Sequence, residues 1–528
     1  MATFSLTQDR ARDDVNPWLI AATVMLATFM EVLDTSVANV SLPHIAGSLS
    51  AGVDESTWVL TSYLVSNAVV LPLTGWLSNV FGRKQFYMAC VAIFTISSFL
   101  CGLAPSLGAL VFFRVIQGAG GGGLQPISQA ILVDSFPRHK QGMAMAIYGM
   151  GVVVAPTIGP TLGGWITDNF TWRWIFFINI PVGILSILMT SLLIKNPAHA
   201  IKKKLHIDYV GIGLLSVGVG FMQIVLDKGQ RDDWFGSNFI VWATVVAMIG
   251  IVGVIIWELR QKDPVIDLHL LKERNFSVAV FTMYILGFVL YGTTVLLPIL
   301  LQTLLGYTAM QSGLVLLPGG VFMMMVMPFV GWMLGKFEAR WLVIVGLLIT
   351  ASGLFMMGTH FDLQMGMATP VLVWIVSRFG VAFLFVPINV IAFYYVLPQK
   401  TNDATGLINL ARNVGGSMGI SFVTTLLDRG AQKNQKILGA HITANSTQFQ
   451  MAIQAMAERF VAAGENAVHA VRMAQQMFYS TLQGQAMMLS FIRDFRIMGY
   501  VCVGMIPFMF ILKKAKPGQG RGGRGMSH

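Results

Sequence analysis

Charge is what this chain lacks. Only 11% of its 528 residues are Asp, Glu, Lys or Arg, against 55% hydrophobic. Soluble globular domains carry about a quarter charged residues, so an ordinary water-soluble fold is excluded. Acidic residues are the scarcer sign, 24 against 35 basic, for a formal net charge of +11. In a soluble domain that excess would raise nucleic acid as a partner. In a chain this apolar it belongs on one face of a membrane, with lipid as its neighbour and no nucleic acid. Cysteine is nearly absent: Cys90, Cys101 and Cys502 lie in apolar runs without CxxC spacing, which excludes a disulfide framework and a structural zinc site. No HExxH occurs, and the nine histidines fall in connections, span ends or tails. General-base chemistry inside a bilayer lacks its usual residues, so no enzyme, metal or cofactor is expected.

What is present is apolar length. The hydrophobic share amounts to roughly 290 residues, and a spanning helix needs about 20. Fourteen apolar segments can be marked out, the first from Pro17 to about Leu42 and the last over 497–512. The first is too long for a signal-peptide core and lacks a small-residue cleavage site, so it reads as a retained span. With a cytoplasmic N-terminus, 22 basic residues fall in cytoplasmic connections, including Arg83, Lys84, Arg138, Lys140, Lys195, Lys202 to Lys204 and the tail from Lys513. The short outer connections hold only Arg173, Lys228 and Arg231. Both termini are therefore expected in the cytoplasm.

The chain repeats itself. Pro72-Leu-Thr-Gly75-Trp76-Leu77 returns as Pro328-Phe-Val-Gly331-Trp332-Met333, Gly142 and Gly151 as Gly406 and Gly415, and Leu42-Pro43 as Leu297-Pro298. The offsets, 256, 264 and 255 residues, are close to half the chain. Spans 1–6 thus correspond to spans 9–14 in the same orientation, the parallel two-half plan of a transporter. The expected organisation is a tail (1–16), a six-helix bundle (17–194) and an inserted pair of spans with loops (195–262). Spans 9–13 (263–427), a long outer loop (428–496), span 14 (497–512) and a basic tail (513–528) follow. Within the loop, 447–463 and 467–489 read as two helices broken at Gly464-Glu465-Asn466. A capping hairpin and a docking surface for a partner protein both fit.

Ionisable groups inside spans are costly and mark function. Span one carries two, Glu31 and Asp34, three residues apart and hence on one helix face. That face reads Ala27, Glu31, Asp34, Ala38, Ser41 and is expected to line a cavity. Span four supplies a counter-charge in the stripe Arg114, Gln117, Gly121, Gln125, Ser128. Motion of Asp34 relative to Arg114 would switch proton affinity, while a fixed contact of Arg114 with backbone carbonyls is the alternative. The Gly118–Gly123 run matches GxGxxG but lacks the strand and βαβ unit that a dinucleotide site needs, so close helix approach is its better account. Span five sets Gly151, Ala155, Gly159 and Gly163 four residues apart, with Pro156 and Pro160 bending the same segment. A gate and plain packing fit equally. The second half offers no membrane carboxylate opposite Asp34. It has Tyr284, Phe288 and Tyr291 on span nine, Arg378, Phe385 and Asn389 on span twelve, and Asn409 and Arg412 on span thirteen. Aromatic walls with a few polar groups suit flat amphiphilic ligands. Packing and interfacial anchoring would use the same aromatics.

Four stretches together resemble a known family. They are Asp34-Thr-Ser-Val-Ala-Asn39-Val-Ser-Leu-Pro43; Gly75-Trp-Leu-Ser-Asn-Val-Phe-Gly82-Arg83-Lys84; Leu110 to Gly118 around Arg114; and Ala155-Pro156-Thr-Ile-Gly159-Pro160-Thr-Leu-Gly163-Gly164. They resemble successive motifs of the major facilitator superfamily, in its fourteen-span drug:proton antiporter branch of the EmrB/QacA type. Trp172-Arg-Trp-Ile-Phe-Phe-Ile-Asn179 at span six adds to the likeness. The resemblance implies an all-α polytopic membrane protein with the major facilitator fold: two six-helix halves plus an inserted pair. It implies Asp34 as protonation site, Arg114 as its coupling partner, and Gly75, Gly82, Arg83, Lys84, Pro156, Gly159, Pro160 and Gly163 as conformational motifs. It also implies an exporter working with an EmrA-like periplasmic membrane-fusion adaptor and a TolC-like outer-membrane channel. Asn79 stands where the family carries an acidic residue, and Glu31 lies outside the motif.

The expected function is proton-driven export of amphiphilic drugs across a bacterial inner membrane, with the proton gradient in place of any cofactor. A proton-coupled importer or uniporter on the same scaffold is the competing reading.

Overall fold

The computed structural model describes residues 16–137, 140–194, 208–261, 264–440 and 446–513. The tails, Arg138, Lys195 and Lys202 to Lys204 lie outside them. Among the described residues the chain is helical throughout, without strands. The long helices are α1 (Pro17–Ser48), α2 (Trp58–Phe81), α3 (Arg83–Gly102), α4 (Leu107–Ser135), α5 (Gln141–Asn169) and α6 (Trp174–Leu193). Then come α7 (Tyr209–Lys228), α8 (Asn238–Glu258), α9 (Arg274–Thr303), α10 (Ala309–Met333), α11 (Ala339–His360) and α12 (Ala368–Phe393). The series closes with α13 (Thr401–Ala440), α14 (Thr447–Ala462) and α15 (Ala467–Gly504).

Local chemistry sets the helix ends. Asn16 caps α1 by accepting from Trp18 N at 3.0 Å, with Pro17 at the first helical position. Thr308 and Gln311 close a reciprocal capping box on α10. Gly82 adopts φ 87°, a left-handed turn that lets α2 hand over directly to α3.

Among the described residues eleven helices are long and apolar enough to cross a membrane, and bent α5 makes twelve. Two more, α13 and α15, complete the fourteen expected positions. Both run on past the apolar stretch. α13 does not stop near 427 but continues to Ala440, and α15 enters the last span unbroken from Ala467. Apolar content marks only the part of a helix that meets lipid; Ala, Gln, Lys and Met beyond it still favour helix. The described part of the segment expected as the outer loop is thus two helix extensions with α14 laid against α15, turned at Gly464 (φ 99°). Its break falls at the expected Gly464–Asn466.

The repeat is visible in the packing. α1 lies on α5 as α9 lies on α13, and α2 lies on α4 as α10 lies on α12. Likewise α3 lies on α6 much as α11 lies on α15. The halves meet along two seams, α5 against α10 and α2 against α13. Each seam is centred on one of the repeated glycines. A methyl group placed on Gly142 would lie 2.8 Å from the Gly331 carbonyl oxygen, and one on Gly331 would lie 2.8 Å from that of Gly142. At the other seam Gly75 abuts Asp403, with the Asp403 Cα 2.8 Å from where its Cβ would stand. The inserted α7 and α8 cross at Gly218 and Gly250, and α7 leans on the α2–α13 seam, where Gln223 donates to Ser417 at 2.7 Å.

Candidate functional site

The glycine run of α4 makes room for the site. Gly118 and Gly122 bring α4 against the backbone of α2, the Gly122 Cβ position lying 2.7 Å from the Asn67 carbonyl oxygen. Gly120 does the same against α3, 2.8 Å from Phe94 N. Such close backbone approach pulls polar side chains of α1, α2 and α4 into one layer.

Two carboxylates occupy that layer. Asp34 is 2% exposed and Glu31 3% exposed. The stripe expected to line an open cavity is enclosed by α2, α4 and α6. Asp34 takes three donors: Arg114 Nη1 at 2.5 Å, Gln117 Nε2 at 3.0 Å and Asn179 Nδ2 at 2.7 Å. Arg114 also donates from Nη1 to Gln117 Oε1 at 2.8 Å and from Nε to the Val59 carbonyl at 3.0 Å. Its guanidinium lies over the Tyr63 ring at 4.2 Å. Asp34 is therefore held inside the first half by a direct ion pair.

Glu31 has different company. Its Oε1 accepts from Tyr63 Oη at 3.0 Å and Asn67 Nδ2 at 3.1 Å, and its Oε2 from Gln125 Nε2 at 2.5 Å. All three donors are neutral. The Oε1 of Gln125 in turn accepts from Arg412 Nη2 of α13, in the other half.

Toward the face where α1 begins, the halves are joined by amides. Gln129 Nε2 donates to Asn389 Oδ1 at 2.5 Å, and Asn409 Nδ2 donates to Gln129 Oε1 at 2.6 Å. Tyr148 Oη donates to Asn409 Oδ1 at 3.0 Å. At the rim of that face Asn402 Nδ2 donates to Asn79 Oδ1 at 3.0 Å. The neutral residue at position 79 thus still bridges the seam.

The structure gathers Gln125, Asn389, Asn409 and Arg412 at the junction of the halves and assigns Gln117 to the Asp34 cluster. Tyr291 packs on Gly416 of α13, and Phe288 packs on Phe422 with ring centroids 5.4 Å apart. Tyr284 lies apart, stacked on the exposed Phe281. Arg378 is also apart, over the Trp374 ring at 3.7 Å and donating to Thr294 at 2.8 Å. Arg83 ties α3 to Asp134 of α4 at 2.6 Å, and Lys84 donates to the Ser191 carbonyl at 2.7 Å. In α5, Gly159 seats Ser36 and Gly163 seats Val37 of α1. The helix bends by 40° there. Pro160 has no N–H for the Pro156 carbonyl, and Ser36 Oγ donates to that carbonyl instead, at 3.1 Å.

Sequence reading missed Tyr63, Asn67, Gln129, Tyr148, Asn179 and Asn402. The available signal was polar residues four apart in apolar helices, as in Tyr63/Asn67 and Gln125/Gln129. A further pattern was overlooked: Gly415-Gly416-Ser417-Met418-Gly419 has the spacing of a nucleophile elbow. That motif needs a strand-to-helix turn, whereas these residues lie within α13 and its glycines abut Tyr284, Tyr291 and Phe288.

Two six-helix halves facing each other across buried polar groups define a secondary transporter. Residues 24–420 match the Major Facilitator Superfamily, and the chain belongs to that family. It is 40% identical over 406 residues to the multidrug export protein EmrB of Haemophilus influenzae, covering 77% of this chain and 79% of that protein. It is likewise 40% identical to the fatty acid resistance protein FarB of Neisseria gonorrhoeae, covering 83% and 86%. Among solved structures, the proton:xylose symporter XylE superposes with a TM-score of 0.60 at 15% identity, covering 95% of this chain and 97% of XylE. That likeness concerns the fold. The protein is a multi-pass membrane transporter, not an enzyme.

Proposed function

We propose that this chain exports amphiphilic compounds in exchange for protons across a bacterial inner membrane, with both termini cytoplasmic. The observation that carries the reading is the Asp34–Arg114 pair, a carboxylate and guanidinium 2.5 Å apart and almost wholly buried. An ion pair away from water changes the proton affinity of its acid strongly when the partners separate. Rocking of one half against the other supplies such a separation. Relatives named for multidrug export and fatty acid resistance support the direction and kind of cargo. The aromatic and basic groups of α9, α12 and α13 suit the cargo's apolar body and any acidic head.

Asp34→Asn in proteoliposomes under a pH gradient tests this. Loss of proton-coupled export with membrane insertion intact is the expected result; full export would refute it. Uptake driven by an inward proton gradient would instead favour the importer reading.

The pump is proposed to work with a periplasmic adaptor and an outer-membrane channel through the α14–α15 hairpin. The hairpin leaves Val461, Val468 and Val471 exposed at 45%, 68% and 41%. Because α15 continues into the last span, the test replaces only these valines with Asp. Extrusion from whole cells should fall while transport in vesicles stays; equal loss in both would refute a docking role.

A further inference from the structure

Resting on the exporter reading, we infer that Gln125 is a proton-controlled relay. Protonation of Glu31 reverses its amide and breaks the Gln125–Arg412 contact, one of the links between the halves.

Donor and acceptor chemistry fixes how the Gln125 amide stands. Arginine has only donors, so Gln125 must turn its Oε1 to Arg412; an ionised carboxylate only accepts, so Gln125 must turn Nε2 to Glu31. Both constraints agree while Glu31 is charged. A proton arriving on Glu31 Oε2 from water on the side to which the transporter is open makes that oxygen a donor. It then faces the Gln125 Nε2 donor at 2.5 Å. Rotation of the amide by half a turn restores the bond, with Glu31 O–H donating to Gln125 Oε1. The same rotation aims Nε2 at the Arg412 Nη2, donor against donor. The Gln125–Arg412 contact is lost, leaving Arg412 only its hydrogen bond to Tyr148 of α5 across the junction, and the proton stays on Glu31 until the halves part and water removes it.

Asp34 has no comparable reach. Its partners Arg114, Gln117 and Asn179 all belong to the first half. Of the two carboxylates, Glu31 is the one whose state is communicated to the second half. Gln125 and Arg412 are positioning residues. The charged and titratable groups that face Glu31, directly or through Tyr63, are Asp34 on its own helix, Tyr63 on α2, Arg114 on α4, Tyr148 on α5, Tyr291 on α9 and Arg412 on α13. The amide bridges through Gln129 and Asn409 carry no titrating acid, so pH acts on the junction through Glu31.

The sign is fixed. The Gln125–Arg412 contact is present while Glu31 is ionised and lost as pH falls through its titration. Losing a hydrogen bond to a charged donor shifts an open-to-closed ratio by at least about tenfold.

The test places spin labels at Lys140 and Lys336, exposed positions beside the α5–α10 seam, in the full-length protein in nanodiscs. Distance distributions are read between pH 5 and pH 9. The native chain should gain a longer distance as pH falls. Glu31→Gln, whose amide oxygen is kept by the Tyr63 and Asn67 donors so that its Nε2 faces Gln125 at every pH, should show the long distance throughout. Gln125→Glu, which pairs with Arg412 whatever Glu31 does, should hold the short distance throughout. Gln125→Leu should lose the pH response. Asp403, half-buried at the other seam, is changed to Asn in every sample, the reference included, so that no response of its own enters the comparison. A native-like response in Gln125→Leu, or a native-like distribution in Glu31→Gln, overturns the relay. Because the distances need no transported substrate, failure of the relay and failure of the exporter reading are separately visible.

Discussion

The two halves treat an equivalent arginine differently. Arg114 of α4 and Arg378 of α12 stand 264 residues apart, the same offset that relates Gly142 to Gly406. Each guanidinium lies over an aromatic ring, Tyr63 at 4.2 Å and Trp374 at 3.7 Å. Arg114 then meets a carboxylate, whereas Arg378 meets the hydroxyls of Thr293 and Thr294 at 3.3 and 2.8 Å. A shared scaffold therefore holds a buried ion pair on one side and a guanidinium among neutral hydroxyls on the other. On the proposed reading the first half carries the energy input, and the second presents cation and aromatic surface.

The largest test of this contrast is removal of each arginine. Arg114→Met strands Asp34 among groups arranged for a charge, and truncating one member of a buried pair costs about 3–5 kcal/mol. Export should vanish and the melting temperature of the detergent-solubilised protein should fall steeply. Arg378→Met frees only neutral hydroxyls and should cost about 1 kcal/mol, with proton coupling intact; comparable losses for both variants would erase the distinction. Next, Thr294→Asp in an Asp34→Asn background gives the second half an ion pair of its own. Proton-coupled transport should stay absent, since among the described residues Arg378 has no counterpart of the Arg114 bond to the Val59 carbonyl of α2 or of its contact with the Phe176 ring of α6 at 5.7 Å. Recovery would show the halves to be interchangeable.

A smaller effect separates the seams. Gly331→Ala puts a methyl group 2.8 Å from a backbone oxygen of α5, and overpacking of this sort costs about 1–3 kcal/mol. The closed seam should weaken, read as faster cross-linking or labelling from the face where α1 begins. Gly75→Ala should act in the same direction at the other seam, moderated by the bracing of α7. Smallest of all, Asn79→Asp keeps the acceptor for Asn402 and adds charge near the start of α13, worth about 0.3–1 kcal/mol. Transport rates should change by less than about threefold.

Much of this was legible in the chain itself. Fourteen spans, the repeat and the close-packed glycines follow from composition and periodicity, because lipid admits few alternatives to helices. Asp34 and Arg114 stood out as charges in apolar surroundings. The Glu31–Gln125–Arg412 connection did not, since it joins residues 94 and 287 positions apart and depends on how two halves abut. The reach of α13 and α15 was hidden for another reason: hydropathy reports where a helix meets lipid, not where its hydrogen bonds end.

Those unbroken extensions have a mechanical consequence. α15 runs for 38 residues from the hairpin into the membrane; at about 1.5 Å per residue it is a strut some 57 Å long. The α14–α15 tip is rigidly geared to the second half, so a modest tilt at bilayer depth becomes a sweep of several ångströms at the tip. Whatever rests on that tip would feel every stroke of the transporter.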